Sequence, residues 1–423
     1  MKNSHNYKQT EIGKIPKEWE IVRLGDISDK IYYGITAKAT EKNTGIRMLR
    51  TTDIKNYSAN WSNLPFCEIT EKRNDLGKYL LKKGDLIVAR AGTVGVSVLV
   101  ERDFNDTIFG SYLIKIKPKP EANSKFLHYF FQSHTFWRHL LGAQGSTMKN
   151  INLPLLKSLQ LSLPPLPEQQ KIAEILSTVD QAIEKVDDSI AKTERLKKGL
   201  MQELLTKGIG HKEFKDTEIG RIPKEWEVVK ISNIADVKGG KRLPKGHNLA
   251  DFRTPYPYIR VVDFKNMSID LANVKFLLPE TYKAIERYTI SSNDVYISIA
   301  GSVGLAGLIP VELDGANLTE NAAKLCNLRR VVKDFLAYVL NSLLVQKQIH
   351  GFVGKAQQPK LALFRIEKIK IPLPPLPEQQ KIAEILSTVD KRLELLREKK
   401  EKMGRVKKGL MNDLLTGKRR VKV

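Results

Sequence analysis

The chain has 423 residues, 41% of them hydrophobic, and carries 71 Lys plus Arg against 47 Asp plus Glu for a formal net charge of +24. Such a length predicts two to three domains, and the apolar content excludes a disordered chain. The positive surplus points to a polyanion, nucleic acid before an anionic membrane, with a heat-adapted, Lys-rich proteome as the plainer source.

Along the chain, the opening MKNSHNYKQTEIGK lacks the apolar core of a secretory signal. GIRML (45–49), DLIVAR (85–90), VSVLVE (96–101) and YLIKIK (112–117) read as strands: short, rich in branched residues and bounded by Gly, Asp or Lys. SKFLHYFFQSHTFWRHLLG (124–142) reads as one helix closed by Gly142, and a looser stretch leads to a last strand, LQLSL (159–163). PPLP holds the next residues extended, because proline fixes φ and restricts the residue before it. Pro167 and Glu168 then start a helix, the acid lying near the positive end of the helix dipole.

Apolar residues follow at alternating steps of four and three: Ile172, Leu176, Val179, Ile183 and Val186. That is the seam of a coiled coil. It shifts phase near Leu196 and continues through Leu200 and Leu204. A helix of about 39 residues at 1.5 Å each is about 58 Å long. Gly199 inside it predicts a kink or a close backbone approach, since glycine costs about 1 kcal/mol in a helix interior.

The second half repeats this plan. YKQTEIGKIPKEWEIVRLGDISD (7–29) answers FKDTEIGRIPKEWEVVKISNIAD (214–236), LRTTDI answers IRVVDF, and GDLIVARAGTVG answers NDVYISIAGSVG. LPPLPEQQKIAEILSTVD stands letter-perfect at 163–180 and 373–390. The second seam is Ile382, Leu386, Val389, Leu393 and Leu396, with Gly409 matching Gly199. A repeat of more than 200 residues is too long for a solenoid. The expected organisation is a mixed α/β recognition domain (1–167), a long helix (168–207), a second recognition domain (208–377), a second long helix (378–416) and a basic tail (417–423). Paired antiparallel, the helices would relate the two domains by an approximate two-fold axis.

Catalytic signatures are missing. There is no Asn/Asp-Pro-Pro-aromatic motif of an amino-methylating enzyme, no G-x-x-x-x-G-K-[ST] and no H-E-x-x-H. Cys67 and Cys326 form no Cys-x-x-Cys pair, so neither a disulfide framework nor a zinc site is expected and a cytoplasmic location is. The apolar stretch from Val295 to Val311 is broken by three glycines and two serines, and reads as two buried strands and a turn rather than a membrane span. GTVG (92–95) and GSVG (301–304) read as tight hairpins that let the backbone approach a phosphate or base edge.

G-x-IPKEWE, the GTVG-type turn and LPPLPEQQKIAEILSTVD opening a long helix, all present twice, resemble the specificity subunit of type I restriction-modification systems over essentially the whole chain. The resemblance implies two target recognition domains, each reading half of a split, asymmetric site in double-stranded DNA. It further implies a helix pair that sets the spacing and docks two methyltransferase subunits, and restriction subunits in the larger complex. No cofactor is expected on this chain; S-adenosylmethionine, ATP and Mg would sit on the partners. The divergent globular parts beside identical helix starts agree, since identical surfaces suit one partner bound twice and divergent ones suit two ligands.

Polar loops beside the recurring turns supply the candidate DNA contacts. They are Arg50, Thr51, Arg90, Thr93, Ser146 and Lys149 in the first domain, and Arg260, Lys265, Ser302, Lys355, Gln357 and Gln358 in the second. Arginine suits guanine and glutamine suits adenine. Met148 and Met267 read as packing. Two alternatives stand beside this reading: a self-contained restriction-methylation enzyme, which lacks its motif here, and a basic structural adaptor.

Overall fold

The computed structural model describes residues 6–69, 73–144, 150–354 and 360–422. By internal contact the chain forms two units, Met1–Asp187 with Glu398–Val423, and Asp188–Arg397. Each holds one mixed α/β domain and parts of both long helices.

In the first unit, strands β1 (Ser28–Tyr33), β2 (Leu86–Ala89), β3 (Ser97–Leu99) and β4 (Leu113–Pro118) form an antiparallel sheet in the order β3-β2-β4-β1. β2 is buried along its whole length, as a run of four apolar residues requires. Its alternation divides two cores. Leu86 and Val88 face the aromatic layer of helix α1 (Ser124–Gln132), while Ile87 faces a second core with Leu49, Val98 and Phe109. The second sheet pairs Arg47–Leu49 with Thr107–Phe109 in parallel and adds two antiparallel strands.

The second unit repeats the plan with β5 (Asp236–Gly239), β6 (Val295–Ser298), β7 (Ala306–Leu308) and β8 (Ala322–Cys326), in the order β7-β6-β8-β5. Val295 and Ile297 face one core and Tyr296 the other. Just before each central strand an aspartate pairs with a lysine of the neighbouring strand, the buried Asp85–Lys115 at 3.0 Å and the partly buried Asp294–Lys324 at 3.3 Å. Burial, then the Asp85 charge, pushes the Tyr32 phenol beside the first pair up to about 12.

The single helix expected over 124–142 is two. Ser133 interrupts it, its hydroxyl accepting from Phe136 N at 3.2 Å to cap a second helix, His134–Gln144, which runs past Gly142. Ser342 does the same between α3 (Lys333–Leu340) and Leu343–Val353. Propensity cannot reveal such a break, because serine is tolerated inside a helix and becomes a cap only when the chain turns there.

The long helices are α2 (Leu166–Leu204) and α4 (Leu376–Leu414), each an unbroken 39 residues. Inside unit 1 they pair antiparallel through Asp180–Lys407 (2.7 Å) and Asp187–Lys400 (2.6 Å). Inside unit 2 they pair through Lys197–Asp390 (2.6 Å) and Glu194–Arg397 (2.7 Å). The apolar stripe is shared out. Ile172 and Leu176 are fully buried in the first domain's core with Met411, Leu414 and Leu415, and Ile382 and Leu386 are buried in the second domain's core with Leu204 and Leu205. Val186 and Leu393 are buried along the helix pair, whereas Val179, Ile183, Val389 and Leu396 are half-buried. The close backbone approach expected as one reading of the glycines is not found: a β-carbon at Gly199 or Gly409 would meet nothing within 4 Å. Among the described residues no helix is long and apolar enough to cross a membrane.

Candidate nucleic-acid interface

The identical helix starts explain themselves in part from inside. In unit 1, the nearly inaccessible Glu168 accepts from Trp19 Nε1 at 2.9 Å and from Arg420 Nε and Nη2 at 2.7 and 2.9 Å. In unit 2, Glu378 accepts from Trp226 Nε1 (3.0 Å) and Ile209 N (2.9 Å), and lies 2.9 Å from His211 Nε2. The neighbouring Gln169 and Gln379 are equally hidden. Each accepts a backbone N–H of its recognition domain, from Asn123 or Val332, and donates to two carbonyls. Buried polar groups with every bond made fix one geometry, so these four positions are constrained whatever binds outside.

A second repeated contact ties each domain to the helices. Tyr129 donates to Asp180 and Tyr338 to Asp390, both at 2.8 Å, and Lys407 and Lys197 bridge to the same carboxylates while lying over the phenol rings. Burial and the adjoining carboxylate hold both phenols well above the usual range. The sequence reading missed these residues, although tyrosine, aspartate and lysine each recur at matching places in the two copies.

The recognition edges are built on shared turns. In RTTD, Arg50 binds Asp53 through its backbone N–H (2.9 Å), Nε (3.0 Å) and Nη2 (2.8 Å). In RVVD, Arg260 binds Asp263 the same way at 2.8, 3.1 and 2.8 Å and also donates to Asn273 O. The Asp53 hydrogen bond holds the Arg50 guanidinium further above its ordinary value. Both arginines are thus clamped to a neighbouring acid. Next, KNYS and KNMS form hairpins with positive φ at Asn56, Tyr57, Asn266 and Met267. Lys265 sits on the second hairpin, paired with Asp270 at 3.1 Å, and lines an open cavity of about 890 Å³ beside α2 and α4. Met267 packs against the unit 2 core.

GTVG and GSVG join β2 to β3 and β6 to β7, all four glycines at positive φ. Gly95 lies under Trp137, where a β-carbon would come within 2.8 Å, and Gly304 lies equally close to Gln346. Thr93 and Ser302 are exposed at the tips, and Thr51 lies beside Gly92. Arg90 follows β2 with its guanidinium 4.4 Å above the Tyr33 ring. Arg50, Thr51, Arg90 and Thr93 thereby share one edge of the first domain. Ile151 N donates to Arg90 O, which brings Ile151 to the same edge, while Ser146 and Lys149 lie outside the described residues. Likewise Leu361 N donates to Ile299 O beside Ser302, while Lys355, Gln357 and Gln358 lie outside the described residues, as does Met148. Among the described residues no group of three or more His, Cys, Asp or Glu side chains gathers to hold a metal ion.

Comparison with known proteins adds relatives of matching length. A family model described as the type I restriction modification DNA specificity domain matches residues 16–194 and again 223–404. The chain is 32% identical, over 99% of its length and 97% of the relative's, to a Methanocaldococcus jannaschii protein described as the type I restriction enzyme MjaX specificity subunit. It is 29% identical to that organism's MjaVIII specificity subunit over 99% of this chain and 96% of the relative. Among solved structures, a chain from work on complex assembly and conformational transition of the type I R-M system has TM-score 0.60 at 17% identity, covering 95% of this chain and 99% of that one. A type I S subunit from M. genitalium has TM-score 0.57 at 16% identity, with 98% of both chains covered. At such identities the structural likeness speaks for the fold.

Proposed function

The chain belongs to the DNA specificity subunits of type I restriction-modification systems, non-catalytic components of those complexes, and from that premise we propose how its parts divide the work. Each recognition domain reads one half of a bipartite, asymmetric site in double-stranded DNA, through the edge formed by its RTTD- or RVVD-type turn and its glycine turn. Lys and Arg contacts to phosphates supply most of the affinity, and a few side chains at base edges supply the choice of sequence. The two long helices set the number of base pairs between the half-sites and dock two methyltransferase subunits. Those partners bring S-adenosylmethionine, and restriction subunits with ATP and Mg join them in the cytoplasm.

One observation carries this reading: identity and divergence are sorted by location. Within the repeated eighteen residues, Glu168, Gln169, Ile172 and Leu176 have internal work. Gln170, Lys171, Glu174 and Thr178 are exposed, and so are Gln380, Lys381, Glu384 and Thr388. Among the described residues their contacts run only along their own helix, as in Lys171–Glu174 and Lys381–Glu384, and residues kept alike on two exposed helix faces suit one partner bound twice. The edges around Arg90 and Ile299 share backbone hydrogen bonds and differ in chemistry, as two different DNA words require.

Mapping methylated bases in DNA from cells carrying this chain and its methyltransferase is the test. The expected result is a split, asymmetric motif; an unsplit motif, or none, overturns the reading. Removing seven residues from each long helix is expected to shorten the spacer and leave both half-words unchanged.

A further inference from the structure

We infer that Arg90 reads a guanine in the half-site taken by the first recognition domain, and that the second domain has no counterpart to it; this deepens the DNA-reading role proposed above and rests on it.

The backbone of Arg90 is held from both sides. Its N–H donates to Tyr112 O and its carbonyl accepts from Ile151 N, each at 2.9 Å. The guanidinium lies 4.4 Å above the centroid of Tyr33, whose hydroxyl in turn accepts from Leu153 N at 3.2 Å. A planar cation stacked on an anchored ring keeps its fork in a fixed orientation, is weakly hydrated and loses little freedom on binding. Its Nε is buried and meets no acceptor. Arg50, on the same edge, has a carboxylate partner at 2.8 Å, whereas among the described residues Arg90 has none. A desolvated donor left open costs stability unless something completes it. Around it are groups suited to nucleic acid: exposed Thr93, Thr51 beside Gly92, and Tyr112, whose relative exposure is 64%.

The second domain has the same frame with different chemistry. Ile299 N donates to Asn321 O and Leu361 N to Ile299 O, both at 2.8 Å, so Ile299 occupies the place of Arg90. Gly34 and Gly240 each press against the carbonyl of the strand opposite, which sets Gly239 where Tyr33 stands. The cation and its aromatic platform are therefore absent together, and the nearby charge is a Glu320–Arg242 pair. Loss of both members at once, on a conserved backbone, marks a unit with one task. Among base edges, the two adjacent acceptors of guanine, O6 and N7, match a stacked arginine fork.

The test uses the full chain with its methyltransferase, selecting bound duplexes from a randomised DNA library and mapping the methylated motif. In Arg90→Ala, discrimination for guanine at one position of the first half-word is expected to fall about ten- to hundredfold, with the second half-word unchanged. Arg90→Lys, which keeps the charge and the volume but not the fork, is expected to retain most overall affinity while relaxing that same position. Should both variants weaken all duplexes uniformly, Arg90 is a phosphate contact and the inference fails. It fails equally if the motif is untouched. A wild-type chain that selects no split motif defeats the underlying reading instead, so the two failures are distinct.

Discussion

The same carboxylate closes both units, and it does so in two ways. Glu378 holds Ile209 and His211, which lie on the segment that runs directly into strand Phe214–Thr217. Glu168 holds Arg420, whose segment meets the matching strand Tyr7–Thr10 only by noncovalent contact, the Tyr7 hydroxyl donating to Gly417 O at 3.1 Å. Where the peptide chain makes the connection, an imidazole and a backbone amide suffice. Where it does not, a guanidinium fork with a second acid, Glu18 at 2.6 Å, holds the segment in place. A repeated fold can thus keep a hub residue while its partners change with the connectivity around it.

Glu168→Ala strands the Trp19 N–H and takes the two-pronged carboxylate from Arg420, which keeps only Glu18, and is expected to lower stability by about 3 kcal/mol, against about 1–2 kcal/mol for Glu378→Ala. Denaturant unfolding checks this, and equal losses would refute the distinction. Combining Glu168→Ala with Arg420→Ala should cost clearly less than the sum, because the two share one interaction.

A second asymmetry concerns protons. His128 faces Lys407 and Asp180 where the other unit has Ala337, and burial, then Lys407, pushes its imidazole down to about 4. Because the folded form disfavours the proton, this contribution is complete above about pH 6.5 and is lost as pH falls toward 4. At pH 5 the loss is on the order of 1–2 kcal/mol, and His128→Ala should remove that part of the pH dependence of unfolding.

Tyr129→Phe and Tyr338→Phe remove the contact the two units share, each expected to cost about 1 kcal/mol by thermal unfolding. Unequal losses would show that the paired contacts are not equivalent. Smallest are Gly199→Ala and Gly409→Ala, each expected to stabilise by up to about 1 kcal/mol, since a methyl meets no neighbour there. If either also weakens assembly with the methyltransferase, that helix face is a partner contact.

Much of the fold was legible because it was written twice. The strand β2 announced itself as a buried apolar run, and α2 and α4 as long seams opened by proline and glutamate. Less visible were the break at Ser133, where one hydroxyl decides between continuing and capping, and the division of the stripe, in which Ile172 and Leu176 serve a domain core. At the candidate interface the turns were readable and the roles of single side chains were not. Arg50 and Arg90 look alike in sequence, yet one is clamped by Asp53 and the other is stacked with an open Nε.

By itself the sequence determined the duplication, the α/β character of each domain, the length of the helices and the basic character of the whole, because periodicity, proline placement and charge are local properties. Only the tertiary structure decided which identical residues are internal hubs and that Arg90, unlike Arg50, remains free of an acid. Those outcomes depend on which groups distant segments bring within hydrogen-bonding reach, and spacing along one chain does not encode that distance.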